Sequence, residues 1–147
     1  MISAVYDACV LYSASLRDFL LCLAEDKLIT PFWSEQILDE WIRNLLQNRP
    51  DLKREKLERT CREMDFYFPN SLVQGYEFII PTLTLPDSDD RPILAAAIHV
   101  QANYIVTFNL KDFPKKALQP FGIEAVSPDE FIVRLIRLAP PAVLHVV

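Results

Sequence analysis

A chain of 147 residues, 51% of them hydrophobic, is long enough to bury one core without staples or a partner. Its two glycines exclude Gly-rich phosphate cradles: neither GxGxxG nor a Walker loop is present. A net charge of −5 argues against nucleic-acid binding by bulk charge and leaves that role to local basic stretches.

In chain order, Ile2 to Tyr6 (ISAVY) predicts a first strand that stops at Asp7. Leu16, Phe19, Leu20 and Leu23 form an apolar stripe on a helix from about Ser15. Leu28 to Phe32 predicts a second strand, weakened by Pro31. Ser34 caps a helix that buries Ile37, Leu38, Trp41, Ile42 and Leu45. Asp51 is expected to cap another helix, running toward Phe66, and residues 67–75 read as loop. Tyr76 to Leu85 predicts a third strand interrupted by Pro81. In PDSDDRP, Asp89 or Asp90 caps a helix with Pro92 in its first turn and Ile93, Ala96, Ala97 and Val100 along it. Tyr104 to Thr107 (YIVT) and residues 123–126 predict further strands, and Ser127 caps a last helix with Phe131, Leu135 and Leu138 on one face. Strands alternating with helices imply an α/β fold, a mostly parallel sheet with helices on both faces, in one domain over residues 1–147.

Cys9, Cys22 and Cys61 lack metal or disulfide spacing and read as reduced thiols filling the core. Residues 43–63 carry seven basic against four acidic side chains, either a helix laced with ion pairs or an RNA-facing patch. Phe66, Tyr67 and Phe68 read as core or a dimer contact rather than a base-stacking surface. With no basic leader, no cleavage site and no apolar run of membrane length, the chain is expected in the cytoplasm. The apolar tail after Pro140–Pro141 suggests a chain continuing beyond Val147.

The ligand site of such a sheet lies beyond the carboxyl ends of its strands. Asp7 ends the first strand; Thr107 ends another, with Asn109 and Asp112 just after it. Asp90 opens the helix before that strand, and Glu40 lies within an otherwise apolar-faced helix. Each has a plain alternative: Asp7 closes a turn, Asp90 only caps, Glu40 is a solvated helical carboxylate, and Asp112 accepts backbone hydrogen bonds. Converging together they would repel unless a cation compensates, and oxygen ligands without His or Cys favour Mg²⁺, Mn²⁺ or Ca²⁺ over zinc. Such ions beside a phosphate activate water for in-line attack, which is phosphodiester hydrolysis.

VYDACVLYSA, WSEQILDEWIRNL and DSDDRPILAAAIHVQANYIVTFNLKDF resemble the acidic motifs of PIN domains, the last through its T-x-N-x-x-D-F ending. The resemblance spans roughly residues 2–138. It implies a Rossmann-like parallel sheet and a site of Asp7, Glu40, Asp90 and Asp112 as catalytic and metal-holding acids, with Thr107 and Asn109 in support. Asp90 is preferred to Asp87 and Asp89 because it stands three residues before Ile93. The implied activity is Mg²⁺- or Mn²⁺-dependent cleavage of single-stranded RNA, leaving a 5′-phosphate and a 3′-hydroxyl. Many bacterial members are VapC-type toxins, held by a small antitoxin and commonly homodimeric; the helices between Leu38 and Phe66 would then be the partner surface. Three rivals stand beside this reading. One is a catalytically silent PIN-like module for RNA or protein binding, another a scaffold with scattered acids. The third, a haloacid-dehalogenase-type phosphatase, needs an Asp where Cys9 stands.

Overall fold

The computed structural model describes residues 2–138; the proposed continuation of the tail lies outside them. Strand β1 (Ile2–Tyr6) is followed by a short helix α1 (Ala8–Leu11), helix α2 (Ala14–Glu25) and strand β2 (Ile29–Phe32). Helices α3 (Glu35–Asn48) and α4 (Arg54–Tyr67) lead through a 3₁₀ stretch, Glu77–Thr82, to α5 (Arg91–His99) and β3 (Tyr104–Val106). Helix α6 (Lys115–Leu118), β4 (Glu124–Val126) and α7 (Pro128–Leu138) complete it.

The strands form one parallel sheet in the order β2-β1-β3-β4. From β1 the chain crosses first to one side, to β2, and later to the other, to β3. Right-handed crossovers in opposite directions place their helices on opposite faces. Both faces are therefore covered, and Ala4, Val5, Tyr6, Ile105 and Val106 are fully buried. The fully buried Ala95, Ala96 and Ala97 let α5 lie close to β1 and β3. Phe131 of α7 meets Tyr6 and Tyr104 edge-on. Pro31 is accommodated because β2 is an edge strand.

Four local expectations are corrected. Tyr76 to Leu85 is not a strand: up to Leu83 its covered residues, Tyr76, Ile79, Ile80 and Leu83, recur every three or four positions, a helical spacing, and the buried Leu85 follows beyond the 3₁₀ turn. Phe78 stands 72% exposed between them, and the Thr82 hydroxyl closes the turn on the Ile79 carbonyl at 2.6 Å. Asp51 does not cap α4; the Arg49 guanidinium takes both of its carboxylate oxygens at 3.1 and 3.0 Å. The first helical segment begins before Ser15, because Asp7 caps α1 and Ser13 caps α2. Leu138 leaves the buried face of α7 and is exposed, whereas Phe131 and Leu135 are buried. The caps expected at Ser34 and Ser127 are present, each oxygen accepting from an N–H three residues on at 3.2 Å.

Candidate active site

The sheet's crossing direction reverses between β1 and β3, and a parallel sheet binds ligands at the carboxyl ends of strands flanking such a point. Asp7 and Thr107 stand at those two ends. The ladder runs on past β1, with the Asp7 N–H donating to the Val106 carbonyl at 3.0 Å. Asp7 is buried, and both carboxylate oxygens are engaged. Oδ1 accepts from the Ala8 N–H at 2.7 Å, and Oδ2 accepts from the Thr107 hydroxyl at 2.8 Å. Thr107, fully buried, accepts in turn from the Asn109 N–H at 3.0 Å. Asn109 thus supports the site through its backbone.

Asp90 ends a 3₁₀ turn, Ser88–Asp90, that runs directly into α5. Asp87 is occupied in capping this turn, accepting from the Asp89 N–H at 2.9 Å. Asp90 sits at the cap position of α5 but makes no capping bond, and its Oδ2 is enclosed without a hydrogen-bond partner. Capping therefore does not explain it. Burial, and then the charges of Asp112, Asp7, Asp87 and Glu40, push its carboxyl up to about 7. Every one of those charges is negative.

Asp112 closes the turn Leu110–Asp112, its N–H donating to the Asn109 carbonyl at 3.0 Å, and the buried Phe113 anchors the turn from beneath. Glu40 is half-buried on α3. Burial, followed by Asp7, raises its carboxyl; Arg43 opposes, and Asp87 and Asp89 add to the rise. Asp112, Asp7 and Glu40 thus all act on Asp90, and Asp7 on Glu40, while Thr107, and Asn109 through it, are tied to Asp7 by hydrogen bonds.

Cys9 packs half-buried against the core as expected and, beyond that expectation, enters the site: its Sγ lies 3.7 Å from both Asp7 Oδ2 and Thr107 Oγ1 and accepts from the Phe108 N–H at 3.5 Å. Burial and the neighbouring Asp7 raise its pKa, so the thiol stays protonated. Its place two residues after Asp7, on the first turn beyond the strand, was the available signal. Cys22 is exposed, against the expectation of a core thiol, whereas Cys61 is half-buried and packs against the core.

Among the described residues no group of three or more His, Cys, Asp or Glu stands ready-made to hold a metal ion. The all-oxygen donors nevertheless fit a hard divalent cation. The unpartnered Asp90 oxygen, surrounded by negative charge, is the observation that carries that fit. A separate cavity of about 420 Å³ beside β4, lined by Phe113, Lys115, Gln119 and residues 122–125, contains none of these acids. On α4, Arg54 is paired with Glu58 at 3.0 Å, while Lys53, Lys56, Arg59 and Arg62 share one hollow with Glu55 and Glu58. Basic and acidic side chains thus mix along this hollow, with one ion pair, Arg54–Glu58, on α4 among the described residues. Phe68 packs edge-on against Trp33, but Phe66 and Tyr67 stay exposed, against their reading as core.

Because Thr107 joins the two strand ends, Thr107→Val is expected to lower stability by about 1–2 kcal/mol, leaving one oxygen of the buried Asp7 short of a partner and the part-buried Asn109 N–H without its acceptor. Urea unfolding measures this; an unchanged midpoint would show the link to be dispensable.

Over 68 residues, 44% of the chain, the sequence is 41% identical to a Mycobacterium tuberculosis (strain ATCC 25618 / H37Rv) protein named "Putative ribonuclease VapC50". That match spans 40% of the relative, so the chain is compared with less than half of its length. No solved structure gives a significant match. A profile of the PIN domain matches residues 3–111, which takes in β1, α3, α5 and β3 and reaches the turn before Asp112. With that match covering well over half of the sequence, the chain belongs to the PIN-domain family.

Proposed function

We propose that this chain is a Mg²⁺- or Mn²⁺-dependent ribonuclease that hydrolyses phosphodiesters of single-stranded RNA. The reading rests above all on the enclosed, unpartnered oxygen of Asp90, on which the carboxylates of Asp112, Asp7, Asp87 and Glu40 act. An arrangement that destabilises itself at neutral pH is hard to account for as scaffolding, and a cation resolves it. Membership of the PIN family and the ribonuclease-named relative favour the same chemistry.

Asp7, Glu40, Asp90 and Asp112 are the residues that would hold the ion. Bound there, Mg²⁺ or Mn²⁺ supplies charge compensation at the phosphate and lowers the pKa of a water. Asp7 is fixed in direction by its two donors, the Ala8 N–H and the Thr107 hydroxyl. Asp90, its carboxyl raised to about 7, would have to be deprotonated to hold the ion, so metal affinity would rise with pH. Glu40, also raised, lies within reach of the Asp7 field to orient or accept a proton from the attacking water. In the hydrolysis the water oxygen bonds to phosphorus, the bond to O3′ breaks, and O3′ takes up a proton. The products are a 5′-phosphate and a 3′-hydroxyl.

On family resemblance we extend the reading to a cytoplasmic toxin that is held by an antitoxin and acts as a homodimer. No helix among the described residues is long and apolar enough to cross a membrane. A 5′-labelled single-stranded RNA should be cut with Mn²⁺, and cutting should stop with EDTA and in Asp7→Asn. Metal binding without cutting would favour the silent RNA- or protein-binding module, and neither would sink the site.

A further inference from the structure

Phe108 is 55% exposed, yet it stands between two residues of the acid site. Thr107 before it is fully buried on Asp7, and Asn109 after it donates its N–H to the Thr107 hydroxyl. The N–H of Phe108 itself donates to Cys9 Sγ at 3.5 Å. The backbone carrying the ring is therefore tied at the residue itself and on both sides. The same loop buries its other ring, Phe113, to 2% exposure, so Phe108 is not outside for want of a core. A ring on fixed backbone gives up little entropy on taking a partner. Its Cα lies one peptide step, about 3.8 Å, from that of Thr107.

We propose that Phe108 is the stacking platform for a nucleobase next to the scissile phosphate, an inference that rests on the ribonuclease reading above. Charge argues for it. The acids at this end of the sheet repel an RNA backbone and the chain carries a net −5. A contact indifferent to charge adds affinity close to the reacting phosphate without meeting that repulsion, and stacking on an aromatic ring is one. Size argues for it too. Phe108 and the neighbouring Leu110, 44% exposed, offer a surface suited to one base. A protein partner needs a patch of roughly 800 Å² on each side.

The chain's two tryptophans, Trp33 and Trp41, are buried at 0% and 1% exposure, so Phe108→Trp places a single indole at the surface. In EDTA, a single-stranded RNA oligonucleotide should quench its fluorescence saturably, and an abasic phosphodiester strand of equal length should do so at least about tenfold more weakly. In turnover, Phe108→Ala should raise KM about tenfold while kcat changes by less than about twofold, and Phe108→Tyr should restore KM. Equal quenching by the abasic strand, or an unchanged KM in Phe108→Ala, overturns the proposal. So does an unchanged KM with a shifted elution volume, which would assign the ring to a contact between copies. Base-dependent quenching without any cleavage would uphold the stacking while removing the nuclease reading, so the two fail separately.

Discussion

Replacing Asp90 with asparagine is expected to raise the melting temperature of the metal-free chain at pH 8 by roughly 2–4 °C, and to cut RNA cleavage at least about a hundredfold. The folded carboxyl is held at about 7, against an ordinary value of 3.8. Well below pH 4 Asp90 is protonated whether the chain is folded or unfolded, and its surroundings cost nothing. As pH climbs from about 4 to about 7 the unfolded chain ionises first, so the folded state loses stability progressively. Above pH 7 both ionise and the loss is complete. Asparagine never ionises and escapes it. Asp90 is only half-buried, so solvent screening reduces the effect to the order of 1 kcal/mol, which sets the size of the thermal shift. The gain should fade as the pH is lowered toward 4. Millimolar Mn²⁺ should raise the melting temperature of the natural chain and barely move the variant. A variant that melts lower at pH 8, or responds equally to Mn²⁺, would remove Asp90 from the site.

The prediction turns on a detail that the sequence did not contain. Asp87, Asp89 and Asp90 are chemically alike and adjacent, and only the folded turn shows Asp87 spent on the Asp89 N–H while Asp90 has a free, enclosed oxygen. By contrast β1 ending at Asp7, the Ser34 cap and the T-x-N-x-x-D-F segment were legible, because each depends on neighbours a few residues away. The 76–85 segment was misread because apolar residues alone do not separate a period of two from one of three and a half over so short a run. The place of Cys9 in the site was missed for another reason: it is created by Thr107 and Phe108, about a hundred positions along the chain, and only pairing of β1 with β3 brings them together.

Asp7 gives the complementary experiment, because its carboxylate is fully partnered where that of Asp90 is not. Asp7→Ala should abolish cleavage and also destabilise the fold by about 2 kcal/mol, lowering the melting temperature by roughly 4–8 °C. It strips the acceptor from the α1 cap and from a fully buried Thr107 hydroxyl, which keeps only the weak Cys9 sulfur at 3.7 Å. Asp7→Asn should lose activity equally but less than half that stability, since its amide oxygen can still accept from the Ala8 N–H. It should also lower the Asp90 pKa, because Asp7 is one of the charges that raise it, and so flatten the pH dependence of the metal-free chain. The sign of the stability change thus separates two carboxylates whose loss has the same effect on catalysis. One is held in place by donors and supports the fold, the other is strained by its neighbours and waits for a cation. Acids scattered by chance over a scaffold would produce neither that contrast nor a metal response at either position. If Asp7→Ala and Asp90→Asn shift stability in the same direction, the division of labour argued from their hydrogen bonds is wrong, whatever their activities.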